Sequence, residues 1–513
     1  MENIHREVVA ALDLGANFFR MVIAEISSDG STNILEDLKK NTSLGRDTFT
    51  KRRIGVEAIY ETCSILNGFV KLMKDYGVKF YWAVSTSGIR EAENREYVLE
   101  QIRIRTGILI EVINTSQERF LVFKALRGRI ENSDEIYKEG AMILNVGSGG
   151  IEVSIYNEGN LKFTEYIKIG SLRIREILGA LEKKTLNFSE LMTEFVESKI
   201  YTLRSYLKSY NIKNFIGLGG SLRFLLKVYA SEEKRYISKE SLLEFSTRIK
   251  NMTTEKICEN FDLNINEAKL ILPSTIIVET FLNMTLAEGI QVPKVSLRHG
   301  MLMDMMSKKL NPSKKRVFDH DIISSVWHIG EKYGIDKEHS ERVKEIALDI
   351  YDKIKKFHRL GDRERLFLEV ASILHDVGKY VNLNEDGFYC YNIIYYEEIL
   401  GFSDKNLNIV ANVVRYHGED IPSLSHESYK NLSFTDKIIV SKLASILKLA
   451  EALNISNKNK INDNNINISA DDRNVYFNLD TYKDCALEIW SFKNNVEFFE
   501  EVMGIRPIIK IKN

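Results

Sequence analysis

This 513-residue chain is poor in proline, with five in all, and holds only four cysteines. So few prolines, and no low-complexity tract, argue against disordered linkers. Cys63, Cys258, Cys390 and Cys485 are scattered without a Cys-x-x-Cys spacing. That leaves no zinc finger or disulfide scaffold and fits free thiols in a reducing cytoplasm. An excess of one charge is also missing, since 71 basic residues face 72 acidic ones. A polyanion must therefore be held by a local basic patch rather than a global field, and nucleic acid is not expected as a partner. No apolar run approaches the roughly 20 residues that span a bilayer. The start, Met1-Glu2-Asn3-Ile4-His5-Arg6-Glu7, lacks a signal-peptide apolar region, so no membrane association is expected. With 44% hydrophobic residues, the chain can fill several cores.

What the sequence does hold is a repeated glycine turn. The apolar run from Val8 ends in Asp13-Leu14-Gly15-Ala16-Asn17 and resumes through Phe18 to Ile26, a strand, a turn and a strand. A carboxylate at a strand end can hold hydrated Mg²⁺, and a turn built on Gly15 lets backbone N–H groups meet a phosphate. Taken alone, the segment reads equally well as an ordinary hairpin. The pattern recurs at Asn145-Val146-Gly147-Ser148-Gly149-Gly150, between two further apolar strands. It recurs again at Gly219-Gly220-Ser221-Leu222-Arg223, opening a helix whose N-terminus attracts an anion. Three such turns point to two facing α/β halves that clamp a phosphorylated ligand.

These segments resemble motifs of the exopolyphosphatase/guanosine-pentaphosphate phosphohydrolase (Ppx/GppA) family, within the acetate kinase, sugar kinase and actin superfamily. Asp13-Leu14-Gly15-Ala16-Asn17-Phe18-Phe19-Arg20 is similar to its D-L-G-S-N-S-x-R motif. Residues 85–94 are similar to A-T-S-A-x-R-x-A-x-N, Thr115-Ser116-Gln117-Glu118-Arg119-Phe120 to S-G-x-E-E-A, and residues 145–152 to D-x-G-G-G-S-T-E. Gly170-Ser171-Leu172-Arg173 and Leu297-Arg298-His299-Gly300 extend the match, which covers residues 7–455. The resemblance implies a two-domain actin-like (ribonuclease H-like, ASKHA) α/β fold, with subdomain I over 1–122 and subdomain II over 123–308. An all-α HD-like domain (309–457) and a small α/β C-terminal cap (458–513) complete the expected organisation, the segment 311–316 reading as a linker.

The same resemblance implies the chemistry. Glu118 is expected as the general base for water and Arg90 as the cation on the terminal phosphate. Gly15, Asn17, Gly147, Ser148, Gly149, Arg173, Gly220 and Arg298 are expected to bind phosphate, with Arg223 a further candidate. Asp13, Asn145 and Glu152 are expected to hold Mg²⁺. Read without the family, Glu118 is an acid in a first helical turn and Arg90 a surface residue opening a helix over 91–99. The chain also departs from the motifs. Ala16 and Phe18 replace serines, Asn145 replaces an aspartate, Gly150-Ile151 replaces Ser-Thr, and Arg119-Phe120 replaces Glu-Ala. These changes remove hydroxyl donors and two negative charges.

From Val317 the pattern turns helical. His375-Asp376 resembles the His-Asp pair of HD phosphohydrolases, with His339 and His417 as further members of that set. The set reads as incomplete, because Tyr389 stands where related sequences carry a histidine and Asn454 where they carry an aspartate, although Glu451 can still ligate. A structural helical domain is the favoured reading, because a metal site needs its full ligand set. Residues 461–479 alternate like a hairpin, followed by a helix over 495–503 and a strand over 506–511. The expected function is Mg²⁺-dependent hydrolysis of the terminal phosphoanhydride of inorganic polyphosphate by a cytoplasmic homodimer. The alternatives are hydrolysis of guanosine pentaphosphate and a weakened regulatory protein that binds polyphosphate or an alarmone.

Overall fold

The first apolar runs form the antiparallel pair β1 (Arg6–Leu14) and β2 (Phe18–Ser27), which sets Asp13 opposite Arg20. β3 (Thr32–Asn41) joins β2 antiparallel, while β4 (Phe80–Ser85) and β5 (Ile110–Val112) add on the other side in parallel. The order is β3-β2-β1-β4-β5. Parallel strands need a crossover, and the helix Val56–Asp75 lies in the one between β3 and β4. Its apolar face (Ile59, Cys63, Leu66, Phe69, Met73) shares one buried core with Leu12, Leu14 and Met21. Each such large side chain contributes roughly 1.5–3 kcal/mol.

The arrangement repeats. β6 (Ala141–Val146), β7 (Ile151–Asn157) and β8 (Asn160–Ile167) form an antiparallel meander, and β9 (Asn214–Leu218) lies parallel to β6. With β10 (Tyr236–Ser238) and β11 (Gly289–Gln291), the order is β10-β11-β9-β6-β7-β8. The run β8-β7-β6-β9 thus copies β3-β2-β1-β4, the duplicated mixed-sheet plan of an actin-like fold. The helix Ile265–Leu282 is apolar nearly all round and is buried in this second core, as such a helix must be.

The computed structural model describes residues 6–512 except 28–30, 128–129, 131–132, 183, 208, 230–234, 311–314, 385, 462–465 and 482. The chain forms two compact units, 1–321 and 322–513, and both sheets above belong to the first. The second unit is built from the helices Lys337–Lys353, Asp362–Leu374, Asp386–Tyr396, Asp404–Arg415 and Phe434–Ala452. A sheet of β12 (Ile466–Ala470), β13 (Asn474–Asp480) and β14 (Arg506–Lys512) follows, with the helices Ala486–Asn494 and Val496–Met503 before its last strand.

Two local expectations change. Lys315 and Arg316 are helical, within Lys315–Lys332, and the rest of the expected linker (311–314) lies outside the described residues. Part of the expected hairpin (462–465) does too. Arg90 closes a short helix, Ser87–Arg90, instead of opening a longer one. The next helix waits until Arg95 because Asn94 is pinned to Ile54, accepting from its N–H at 3.0 Å and donating to its carbonyl at 2.9 Å. No disulfide joins Cys63, Cys258, Cys390 or Cys485. Among the described residues, no helix is long and apolar enough to cross a membrane.

Candidate active site

β1 and β4 run parallel in one half, and β6 and β9 in the other. The loops after their C-terminal ends open into one cavity of about 620 Å³, where open α/β sheets generally bind ligands. All three glycine turns line it, through Gly15, through Gly147, Ser148, Gly149 and Gly150, and through Gly219 and Gly220. The first two are tight: the Gly15 N–H donates to the Phe18 carbonyl at 3.1 Å, and the Gly147 N–H to that of Gly150 at 3.0 Å.

Glu118 and Arg90 meet on the wall. Arg90 Nη1 lies 3.3 Å from Glu118 Oε2 and donates to the Ile113 carbonyl at 2.8 Å. Helix Thr115–Arg127 carries Glu118 in its first turn. Burial pushes the Glu118 carboxyl above its ordinary range, and Arg90 opposes that shift. Burial also works against the Arg90 charge, but Glu118 beside it, with Tyr166 and Glu91, outweighs the cost and raises Arg90. The result is a carboxyl more basic than usual, with Arg90 moderating the shift.

Glu152 is a second buried acid on the same wall, and Asn145 Nδ2 donates to its Oε2 at 3.0 Å. Its Oε1 is buried without a hydrogen-bond partner. Burial, then the Glu118 charge, push this carboxyl up to about 8. Arg119 pulls the other way; it is a buried cation where the family motif carries an acid. Asp13 lines the cavity but already faces Arg20 at 3.5 Å.

Not every expected phosphate ligand reaches the cavity wall. Arg173 donates to both carboxylate oxygens of Glu91, at 2.6 and 2.7 Å, and to the Gly149 carbonyl. It ties the second turn to the first half, and it is absent from the lining. Asn17 is buried and also off the lining, its Nδ2 without a partner. Arg298 does line the cavity, ion-paired with Asp37.

Several wall residues were not among the expected site residues, although Phe18 and Arg20 lie in the first motif. Arg20, Lys39 and Lys227 join Arg223 and Arg298 as cations on the lining. Among the described residues, no ion pair or hydrogen bond engages the Arg223 guanidinium. Burial, then the Arg20 and Arg298 charges, lower it to about 10. Phe18, in a motif serine position, packs with Phe49, Leu172 and Leu270 where the halves meet, and Lys39 Nζ sits 3.8 Å from its ring centroid. Tyr166 is the other omission. It pairs with Glu152 across β7 and β8, its ring lies 5.9 Å from Arg90 Cζ, and its buried hydroxyl has no partner. A Cβ on Gly150 would overlap that ring. The departure from Ser-Thr at 150–151 is therefore coupled to a tyrosine from the neighbouring strand.

In the second unit, His339, His375, Asp376 and Glu451 gather with their ligand atoms within 4.8 Å of one another. His417 Nε2 lies 3.9 Å from Asp376 Oδ1.

The sequence model of the Ppx/GppA phosphatase family matches residues 22–309, and that of Ppx/GppA phosphatase domain III matches 323–496. A guanosine-5'-triphosphate,3'-diphosphate pyrophosphatase of Photobacterium profundum is 21% identical over 424 residues, 82% of either chain. A bifunctional 3-dehydroquinate synthase/phosphatase of Fusobacterium nucleatum is 28% identical over 294 residues, covering 53% of this chain and 43% of its own. An exopolyphosphatase structure from Cytophaga hutchinsonii aligns at a TM-score of 0.53 and 19% identity, over 59% of this chain and 98% of that one. The Aquifex aeolicus Ppx/GppA family member aligns at 0.50 and 23%, over 60% and 100%. At these identities the two structures speak to the fold.

Proposed function

The chain belongs to the Ppx/GppA phosphatase family, and we propose that it hydrolyses the terminal phosphoanhydride of inorganic polyphosphate, releasing orthophosphate. The observation that carries this reading is the Arg90–Glu118 pair at 3.3 Å on the wall of a cavity lined by three glycine turns. Phosphoryl transfer needs little covalent help from a protein, only positioning and charge. The turns offer backbone N–H groups to the phosphates. Arg90 offers two donors to the terminal group as charge builds on it. Glu118 takes the proton of the attacking water, for which its raised basicity suits it.

The donor set fits a divalent cation. Glu152 is a buried carboxylate with one oxygen unpartnered, Asn145 stands beside it, and Asp13 lies on the same wall. Glu152, Asn145 and Asp13 would hold Mg²⁺, which neutralises phosphate charge when bound. Arg20 at Asp13 and the neutral Asn145 both weaken that hold.

Guanosine pentaphosphate is the alternative substrate, supported by the pyrophosphatase relative matched over 82% of both chains. The test is orthophosphate release from long-chain polyphosphate, and separately from guanosine pentaphosphate, with Mg²⁺. Glu118→Ala is expected to lower release by about 10²–10⁴-fold while substrate still binds. Binding without release, in wild type and variant alike, would sink the enzyme reading and favour a regulatory binder.

A further inference from the structure

Arg119 is 1% exposed, and a charge taken that far out of water needs opposite charge and hydrogen bonds around it. It follows Glu118 in helix Thr115–Arg127. Successive helical residues point about 100° apart, so with Glu118 on the cavity wall Arg119 turns away, and it is absent from the lining. Its Nη1 donates to Thr164 Oγ1 at 2.5 Å, and Thr164 Oγ1 lies 2.9 Å from Ser154 Oγ. Thr164 pairs with Ser154 across β8 and β7, just as Tyr166 pairs with Glu152. Alternate strand residues share a face. Glu152 and Tyr166 therefore stand on the face that Arg119 meets, one step nearer the glycine turn. Arg119 joins the helix that carries one cavity acid to the sheet that carries the other.

The charges follow the same lines. Burial and the Glu118 charge push the Glu152 carboxyl up, and Arg119 is the foremost cation acting against them, ahead of Arg90. Arg119 acts on Glu118 in the same sense. Two acids on one wall repel each other unless a cation stands near both. In the family motifs position 119 is an acid and position 145 an aspartate, so this wall has two fewer negative charges and one more positive charge. Part of the positive charge that a divalent ion would bring is built into the chain.

We infer that Arg119 is a positioning residue, the resident counter-ion of the Glu118–Glu152 wall, and that its charge weakens the hold of Glu152, Asn145 and Asp13 on Mg²⁺. The inference rests on the metal role proposed above for those three residues. The test titrates the tag-free full chain with Mn²⁺ as the probe for Mg²⁺, reading the free ion by electron paramagnetic resonance. Binding that Glu152→Gln abolishes is assigned to this site. Arg119→Gln should tighten that binding at least about 10-fold, because the ion carries two charges where a proton competing for the same carboxylates carries one. Arg119→Lys should keep the wild-type affinity, and the tightening should vanish when Arg119→Gln is combined with Glu152→Gln. A purely structural role predicts the reverse, since a loosened wall holds the ion less well. Far-UV circular dichroism checks folding, and Arg119→Met, which fills the space without a charge, replaces Arg119→Gln if that variant does not fold. Glu152-dependent binding that is unchanged or weaker in the folded uncharged variant overturns the inference alone. No Glu152-dependent binding in any of these proteins overturns the metal role of Glu152, and the inference with it.

Discussion

Tyr166 brings a hydroxyl to a wall from which the motif hydroxyls at 150 and 151 are gone. Its oxygen is buried without a partner, on the cavity lining and on the residue paired with Glu152. A buried donor left unmade costs about 1–3 kcal/mol, a cost that a phosphate oxygen in the cavity would remove. Tyr166→Phe keeps the ring over Gly150 and deletes only the donor. It should lower kcat by about 10-fold, the effect of one hydrogen bond to a charged group, with an unchanged far-UV spectrum. Initial rates on polyphosphate beside circular dichroism check it. Glu152 supplies a pH test. Its carboxyl titrates at about 8 in the fold, above the ordinary 4.5. Between those values the folded protein holds a proton that the unfolded chain has lost, so stability falls as pH rises from about 5 to 8. Metal-free denaturant titrations across that window should show the decline in wild type and a flatter profile in Glu152→Gln. A decline of the same steepness in both would assign it to another group.

Among the elements, the glycine turns were the most legible feature, because a strand interrupted by a polar glycine cluster has few other uses. Each was found where the pattern placed it, and all three line one cavity. What the pattern lacked was the side-chain traffic between elements. No spacing rule announces that Asn94 pins Ile54, that Arg173 is occupied by Glu91, or that Tyr166 fills the space above Gly150. These are contacts across 16 to 82 residues of sequence, set by packing. They yield a prediction against simple motif repair. Gly150→Ser restores the family residue, yet its Cβ would meet the Tyr166 ring, and overpacking costs about 1–3 kcal/mol. The single variant should show a lower denaturation midpoint and no gain in rate. Gly150→Ser with Tyr166→Ala, which clears the space, should recover part of the lost stability relative to the sum of the two single changes.

Over the whole chain, 71 basic and 72 acidic residues leave a net charge of −1, so no global field draws an anion in. The first unit nevertheless lines its cavity with Arg20, Lys39, Arg223, Lys227 and Arg298. These come from β2, β3, the helix Gly220–Tyr229 and the helix Leu297–Leu310, too far apart in sequence to read as a basic run. That is why composition called for a local patch without being able to locate it. The second unit was legible in the same partial way, since single histidines were visible but their mutual distances were not. Within the patch, Arg20, Lys39 and Arg298 have carboxylate partners in Asp13, Glu267 and Asp37. Arg223 has none among the described residues, and its lowering to about 10 reflects burial and the neighbouring arginines. An incoming phosphate relieves that repulsion, so Arg223 should serve binding more than the chemical step. Arg223→Gln is expected to raise KM for polyphosphate with kcat nearly unchanged, and to make KM less sensitive to salt, because the interaction it removes is screened by added ions. Steady-state kinetics at several ionic strengths distinguish this from a structural effect, which would lower kcat and leave the salt dependence in place.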